Sequence, residues 1–176
     1  MEDEQARTLE VLQSALNMEV QGKEFYRKAS QESSNRLARE LFERLADEED
    51  LHRQKFEEIY AALQRGQNWP DIEPPRDHGR KLKSLFAEAT AALGGKIEVA
   101  ESELEAIELA MDMEARSYKL YHSRGEESAF PAERRFYEAL AAEEQGHRLA
   151  LVDSYEYLKD PAGWFTRSER WSLDGA

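Results

Sequence analysis

Leu9, Leu12, Leu16, Glu19, Gly22 and Tyr26 recur at steps of three and four residues. That spacing puts them on one face of a helix, predicted over about Gln5 to Ser33. A second helix is predicted from about Asn35 to Arg65. Leu41 or Phe42, Leu45, Glu49, His52, Phe56 and Ile59 form its inner face, and Gly66 with the Pro70 to Pro75 stretch ends it. The same periodicity predicts a third long helix over about Ser102 to Ser123 and a fourth over about Ser128 to Leu158, stopped by Asp160 and Pro161.

Between the second and third long helices lies a connection of about Gly66 to Ala100. It holds room for a short helix near Lys81 to Leu93, closed by Gly94 and Gly95. Two short-linked helix pairs joined by one long crossover are the connectivity of a ferritin-like four-helix bundle. The expected fold is therefore all-α, with residues 1–160 as the bundle. Residues 161–176 are expected as a C-terminal tail docked on it, because exposing Trp164, Phe165 and Trp171 to water is costly.

The two pairs repeat each other at a constant offset of 95 residues with no gap. ALNMEVQGKEFY at Ala15 to Tyr26 aligns with AMDMEARSYKLY at Ala110 to Tyr121, and RLADEEDLHR at Arg44 to Arg53 aligns with ALAAEEQGHR at Ala139 to Arg148. A shared register across two helices and their loop, including two of the four histidines, points to a duplicated helical hairpin with a pseudo-twofold axis.

Each half then supplies one lone glutamate on its first helix and a Glu-x-x-His on its second: Glu19, Glu49 and His52; Glu114, Glu144 and His147. Residues three apart share a helix face, so all six side chains can meet in the middle of the bundle. This is the di-metal carboxylate pattern. Four buried carboxylates need a counter-charge, which two divalent ions supply. Neutral imidazole suits iron, zinc or manganese. One Glu-x-x-His on a long helix is a weak signal, whereas two in register, each matched to an inward glutamate, are strong.

Gly22 and Ser117 match across the repeat one turn after the lone glutamates. They leave room for a ligand or serve close helix packing. Tyr26 and Tyr121 lie two turns beyond the same glutamates, where a hydroxyl can reach an inner carboxylate or simply pack. Glu48 and Glu143 adjoin the inward positions and are expected to be solvated or to stand behind the ligands. His78 and His122 are expected at the surface, with Arg53 and Arg148 pointing outward. Gly146, inside the fourth helix, costs about 1 kcal/mol against alanine, which a close helix approach would offset.

Composition narrows the functions. The formal net charge is -13, which argues against a nucleic-acid partner. With no cysteine, disulfides, thiolate metal sites and cysteine catalysis are excluded. No apolar run approaches a membrane span, and the acidic start MEDEQARTLE is no signal peptide. A cytoplasmic setting is expected.

At these motifs the sequence resembles the rubrerythrin branch of the ferritin-like superfamily, over about Leu9 to Leu158 and again in the tail YEYLKDPAGWFTRSERWSLDGA. The resemblance implies two iron ions per chain, with zinc or manganese as substitutes. Glu19 and His52 would serve one ion, Glu114 and His147 the other, and Glu49 and Glu144 would bridge them. It also implies peroxide or dioxygen as the oxidant and a homodimer as the assembly. Two features depart from a full rubrerythrin. The chain lacks the four cysteines of a rubredoxin domain, so an external donor such as a rubredoxin-like protein is expected. Ser117 stands where an additional metal-switching glutamate is found.

The leading expectation is thus a di-iron oxidoreductase that reduces hydrogen peroxide, using Glu19, Glu49, Glu114 and Glu144 with Tyr26 and Tyr121 beside them. A ferroxidase or iron-handling protein is the nearest alternative. A non-enzymatic metal-binding protein and a purely structural bundle are the others.

Overall fold

The structure is a computed structural model that describes residues 2–94 and 97–173, with side chains described over 7–94 and 97–167. Within these it holds six helices and no strand. Four of them form the bundle: α1 (Glu2–Glu32), α2 (Arg36–Gln64), α4 (Glu101–Glu127) and α5 (Pro131–Lys159). The crossover carries α3 (Arg80–Leu93), and α6 (Pro161–Leu173) follows α5. The architecture is the all-α, ferritin-like bundle that the pattern predicts.

Local chemistry sets the helix ends. Asn35 caps α2, its side chain accepting from the Ala38 N–H at 3.1 Å. Buried Glu103 ties the two hairpins together. One of its oxygens accepts from the Asn35 N–H in the α1–α2 turn, and the other from the Ala100 N–H at the start of α4, both at 2.8 Å. α5 begins at Pro131 rather than near Ser128, because a proline at the first helical position gives up no hydrogen bond. α4 runs a turn past Ser123. Gly125 stays helical where α4 passes α5, and a Cβ there would lie 3.2 Å from Glu138 Cγ.

Where a C-terminal tail is expected, residues 161–173 form a helix. Asp160 accepts from the Gly163 N–H at 3.0 Å and Pro161 opens α6, so the pair that stops α5 also starts its successor. Trp164 lies edge-on to Phe86 of α3 and Tyr157 of α5, and Phe165 lies edge-on to Tyr157. The Trp171 side chain and Gly95 lie outside the described residues.

Two apolar clusters fill the bundle. One gathers Tyr26, Leu37, Leu41, Phe42, Leu45, Ile107 and Leu151, and receives Leu82 and Phe86 from α3. The other gathers Leu12, Leu16, Phe56, Ile59, Tyr121, Phe136 and Leu140. A belt of buried polar side chains separates them.

The crossover is clamped to α5 beside that belt. His78 (φ 50°) and Gly79 (φ 70°) turn in the left-handed region and press their backbone against Gly146. A Cβ on Gly146 would sit 2.5 Å from the His78 carbonyl carbon and 2.8 Å from the Gly79 nitrogen. The approach that Gly146 permits is thus to the crossover.

Gly146→Ala carries a clear sign test. In an unobstructed helix this change stabilises by about 1 kcal/mol. Here the new methyl group meets backbone, and overpacking costs about 1–3 kcal/mol. Denaturant unfolding is expected to show a less stable protein; a more stable one would refute the clamp.

Candidate metal centre

The belt is built from one face of each bundle helix. α1 presents Glu19, α4 presents Glu114, α2 presents Glu49 and His52, and α5 presents Glu144 and His147. The structure brings all six together, and none is more than 5% exposed. They form two groups able to hold an ion. Glu19, Glu49, His52 and Glu144 make one; Glu49, Glu114, Glu144 and His147 make the other. Within each group the four donor atoms lie within 4.8 Å of one another. Glu49 and Glu144 belong to both. The two imidazole rings stack across the axis, with centroids 5.7 Å apart and planes 14° from parallel.

Hydrogen bonding tests whether this arrangement fits a metal. Buried polar atoms ordinarily find partners. Here Glu19 Oε2, His52 Nδ1, Glu114 Oε2, Glu144 Oε1 and His147 Nδ1 are buried with none. His52 Nδ1 stands 3.5 Å from Glu19 Oε2 and 3.3 Å from Glu144 Oε1, while His147 Nδ1 stands 3.5 Å from Glu114 Oε2. Five unpartnered donor atoms converging from four helices suit divalent ions.

The tyrosines cross between the halves. Tyr26 of α1 donates its hydroxyl to Glu114 of α4, and Tyr121 of α4 donates to Glu19 of α1. Both rings are buried in the apolar clusters, so each packs and also orients a carboxylate. Burial holds both phenols well above their ordinary range, reinforced by the Glu114 charge at Tyr26 and the Glu19 charge at Tyr121. Gly22 makes space: a Cβ there would lie 3.1 Å from Glu49 Oε2.

Electrostatics divides the six unequally. Burial pushes Glu49 well above the ordinary carboxylate range, and the Glu19 and Glu144 charges push it further. Burial and the Glu114 charge do the same to Glu144. Burial also works against the charged forms of the other four, but their neighbours outweigh it. The Glu144 carboxyl and the His147 imidazole hold Glu114 at about 2. His52 lowers Glu19. Glu19 in turn raises His52, and Glu114 raises His147 well above its usual value. These neighbours thus favour the charged forms of Glu19 and Glu114 and the protonated forms of Glu49, Glu144, His52 and His147.

Glu48 and Glu143 are buried behind the six, so of the two expectations for them it is the unsolvated one that the structure shows. Glu48 Oε2 lies 2.8 Å from His147 Nε2. Glu143 accepts instead from the His78 backbone N–H at 2.8 Å. The His78 ring is half exposed, and the role of this residue lies in its backbone, which no side-chain motif announces. His122 is exposed and stacks on Tyr118. Arg53 turns away from the centre to pair with Asp50 and Glu57.

A family model described as Rubrerythrin matches residues 10–155 of the chain, which contain the whole centre. No curated protein and no solved structure matches the chain. Among the described residues no helix is long and apolar enough to cross a membrane.

The raised groups predict how metal binding follows pH. Glu49, Glu144, His52 and His147 keep their protons to higher pH than usual. An incoming ion has to displace those protons, so affinity is expected to climb as pH rises from about 6 to about 8. Calorimetry with Zn²⁺ in buffers of different ionisation enthalpy will count the protons released. A pH-independent affinity with no proton release would contradict this arrangement.

Proposed function

Because the chain belongs to the rubrerythrin family, we propose that it is a di-iron carboxylate protein that reduces hydrogen peroxide, or dioxygen, with electrons from an external donor. The observation that carries this reading is the pair of four-residue donor groups sharing Glu49 and Glu144. Glu19 and His52 would hold one ion, Glu114 and His147 the other, and Glu49 and Glu144 would span both.

The bound pair, when ferrous, would supply the two electrons that, with two protons, turn one peroxide into two waters. The chain's own residues do the rest. Four carboxylates offset the charge of two divalent ions and hold them inside an apolar shell. Tyr26 and Tyr121 fix Glu114 and Glu19 through their hydroxyl protons, so the outer carboxylates keep their orientation. The apolar clusters on both sides keep bulk water away from the belt. The donor, a homodimeric assembly and a cytoplasmic setting belong to this proposal.

Iron handling is the second reading. Ser117 stands where the resemblance places an additional metal-switching glutamate, and its hydroxyl is a far weaker iron ligand. In that role ferrous iron would be oxidised at the centre with dioxygen as the electron acceptor and then released, and turnover would track iron supply rather than a reductant.

Expression in iron-rich medium, purification without chelator and an iron count per chain test the centre. Anaerobic addition of one equivalent of peroxide to the ferrous protein tests the chemistry. Two irons per chain and rapid conversion to an oxo-bridged di-ferric spectrum are expected. Two irons that ignore peroxide would move the reading to iron handling, and no stoichiometric metal would remove both.

The bridging assignment has its own test. Glu49→Gln and Glu144→Gln are each expected to weaken both ions, whereas His52→Ala and His147→Ala each weaken one more than the other. Full metal content in all four variants, measured by elemental analysis, would defeat the six-residue centre.

A further inference from the structure

A cleft of about 420 Å³ opens beside the centre, under the crossover stretch from Glu73 to Asp77. Glu48, His52 and Glu143 lie along it, whereas His147 does not. The cleft therefore approaches the belt from the His52 half.

Glu48 and Glu143 meet where α2 faces α5. One oxygen of each and a nitrogen of His147 lie within 4.8 Å of one another. Each carboxylate already has one contact: Glu48 Oε2 with His147 Nε2, and Glu143 Oε1 with the His78 N–H. Glu48 Oε1 is left buried with no partner at all. Among the described residues neither carboxylate pairs with a lysine or arginine; their ion-pairing partners are His147 and His78. Of the cations on the cleft wall, Arg76 pairs with Glu73, Lys81 with Asp77 and Arg80 with the Asp77 and Arg76 carbonyls, while Lys55 forms an ion pair with neither carboxylate.

Once His147 is neutral with Nδ1 on the centre, two buried carboxylates this close, one with an orphaned oxygen, lack a counter-charge. A divalent ion would offset both charges. Oxygen donors favour a hard ion such as Mg²⁺, Mn²⁺ or Fe²⁺. His147 keeps its Nε2–H on Glu48 when Nδ1 faces the centre, so two carboxylates and water make up the donor set. Such a set binds and lets go.

We propose that Glu48 and Glu143 form a third divalent-cation site, weaker than the central pair, which receives metal from the cleft and passes it to the His52 half. The receiving role rests on the di-metal reading of the centre; the binding of a third ion does not.

Anaerobic titration of the full chain with Co²⁺, followed by calorimetry and visible absorption, tests this. Wild type is expected to bind two ions tightly and a third at least about tenfold more weakly. Glu143→Gln and Glu48→Gln keep the acceptors that His78 and His147 use but remove the charge. Both variants are expected to lose the third ion, and Glu143→Gln, whose hydrogen-bond contact is the His78 N–H, to keep the two tight ions. In Glu143→Gln, stopped-flow loading of the tight pair is expected to slow about fivefold or more. Conversely, Glu49→Gln/Glu144→Gln should lose the tight pair and retain the weak ion. Circular dichroism will establish that each variant is folded.

Absence of the weak ion from wild type, or its persistence in both single variants, would overturn the site. Unchanged loading in Glu143→Gln would overturn its receiving role. A wild type that binds the weak ion but no tight pair would count against the di-metal reading while supporting this one.

Discussion

Four carboxylates and two imidazoles buried at one level of a helical bundle are the constraint on which this protein turns. Ionised side chains in an apolar interior cost several kcal/mol each unless they are paired or bound to metal. The surrounding structure is arranged around that cost. Tyrosine hydroxyls close on the outer carboxylates, and Gly22 gives Glu49 its space. The apolar core divides into two clusters, because no continuous hydrophobic column can cross the charged belt. Protons favoured on Glu49, Glu144 and the two imidazoles offset part of this cost.

The crossover breaks the symmetry that the duplicated hairpin creates. Residues related by the 95-residue offset have the same helical positions but not the same neighbours. Glu48 reaches His147, whereas its counterpart Glu143 is taken by the His78 backbone. The Gly79–Gly146 approach holds that contact in place and seats the crossover over one half only. The two donor groups are therefore inequivalent. His147 is fully buried with a carboxylate behind its imidazole, while His52 lies along a cleft.

Most of the bundle was legible in the sequence because its information is periodic. Apolar steps of three and four mark the faces, and the gapless repeat singles out six residues among many glutamates. The structure brings those six to one place. What was not legible depends on contacts between segments distant in the chain. The burial of Glu48 and Glu143 follows from where α2 meets α5, and neither residue's own spacing separates it from a solvated neighbour. The clamp at Gly146 needs the left-handed turn at His78 and Gly79, which lies 67 residues earlier for Gly79 and carries no motif. The sixth helix was readable in principle: Asp160 and Pro161 form a cap and first-turn pair, but the same two residues also read as a stop.

The crossed tyrosines have a bearing on ancestry. Each hairpin carries the phenol that steadies the other's lone glutamate, so one hairpin holds half a site and half its support. Two identical copies related by a twofold would present the same donors and the same crossed phenols. In such a pair every substitution is expressed twice, once in each half. Within one chain that restriction is absent, and the halves differ at individual positions. Gly22 faces Ser117 in the alignment, and the glycine that seats the crossover, Gly146, faces Leu51. One chain can thus give a pseudo-symmetric cage a front and a back.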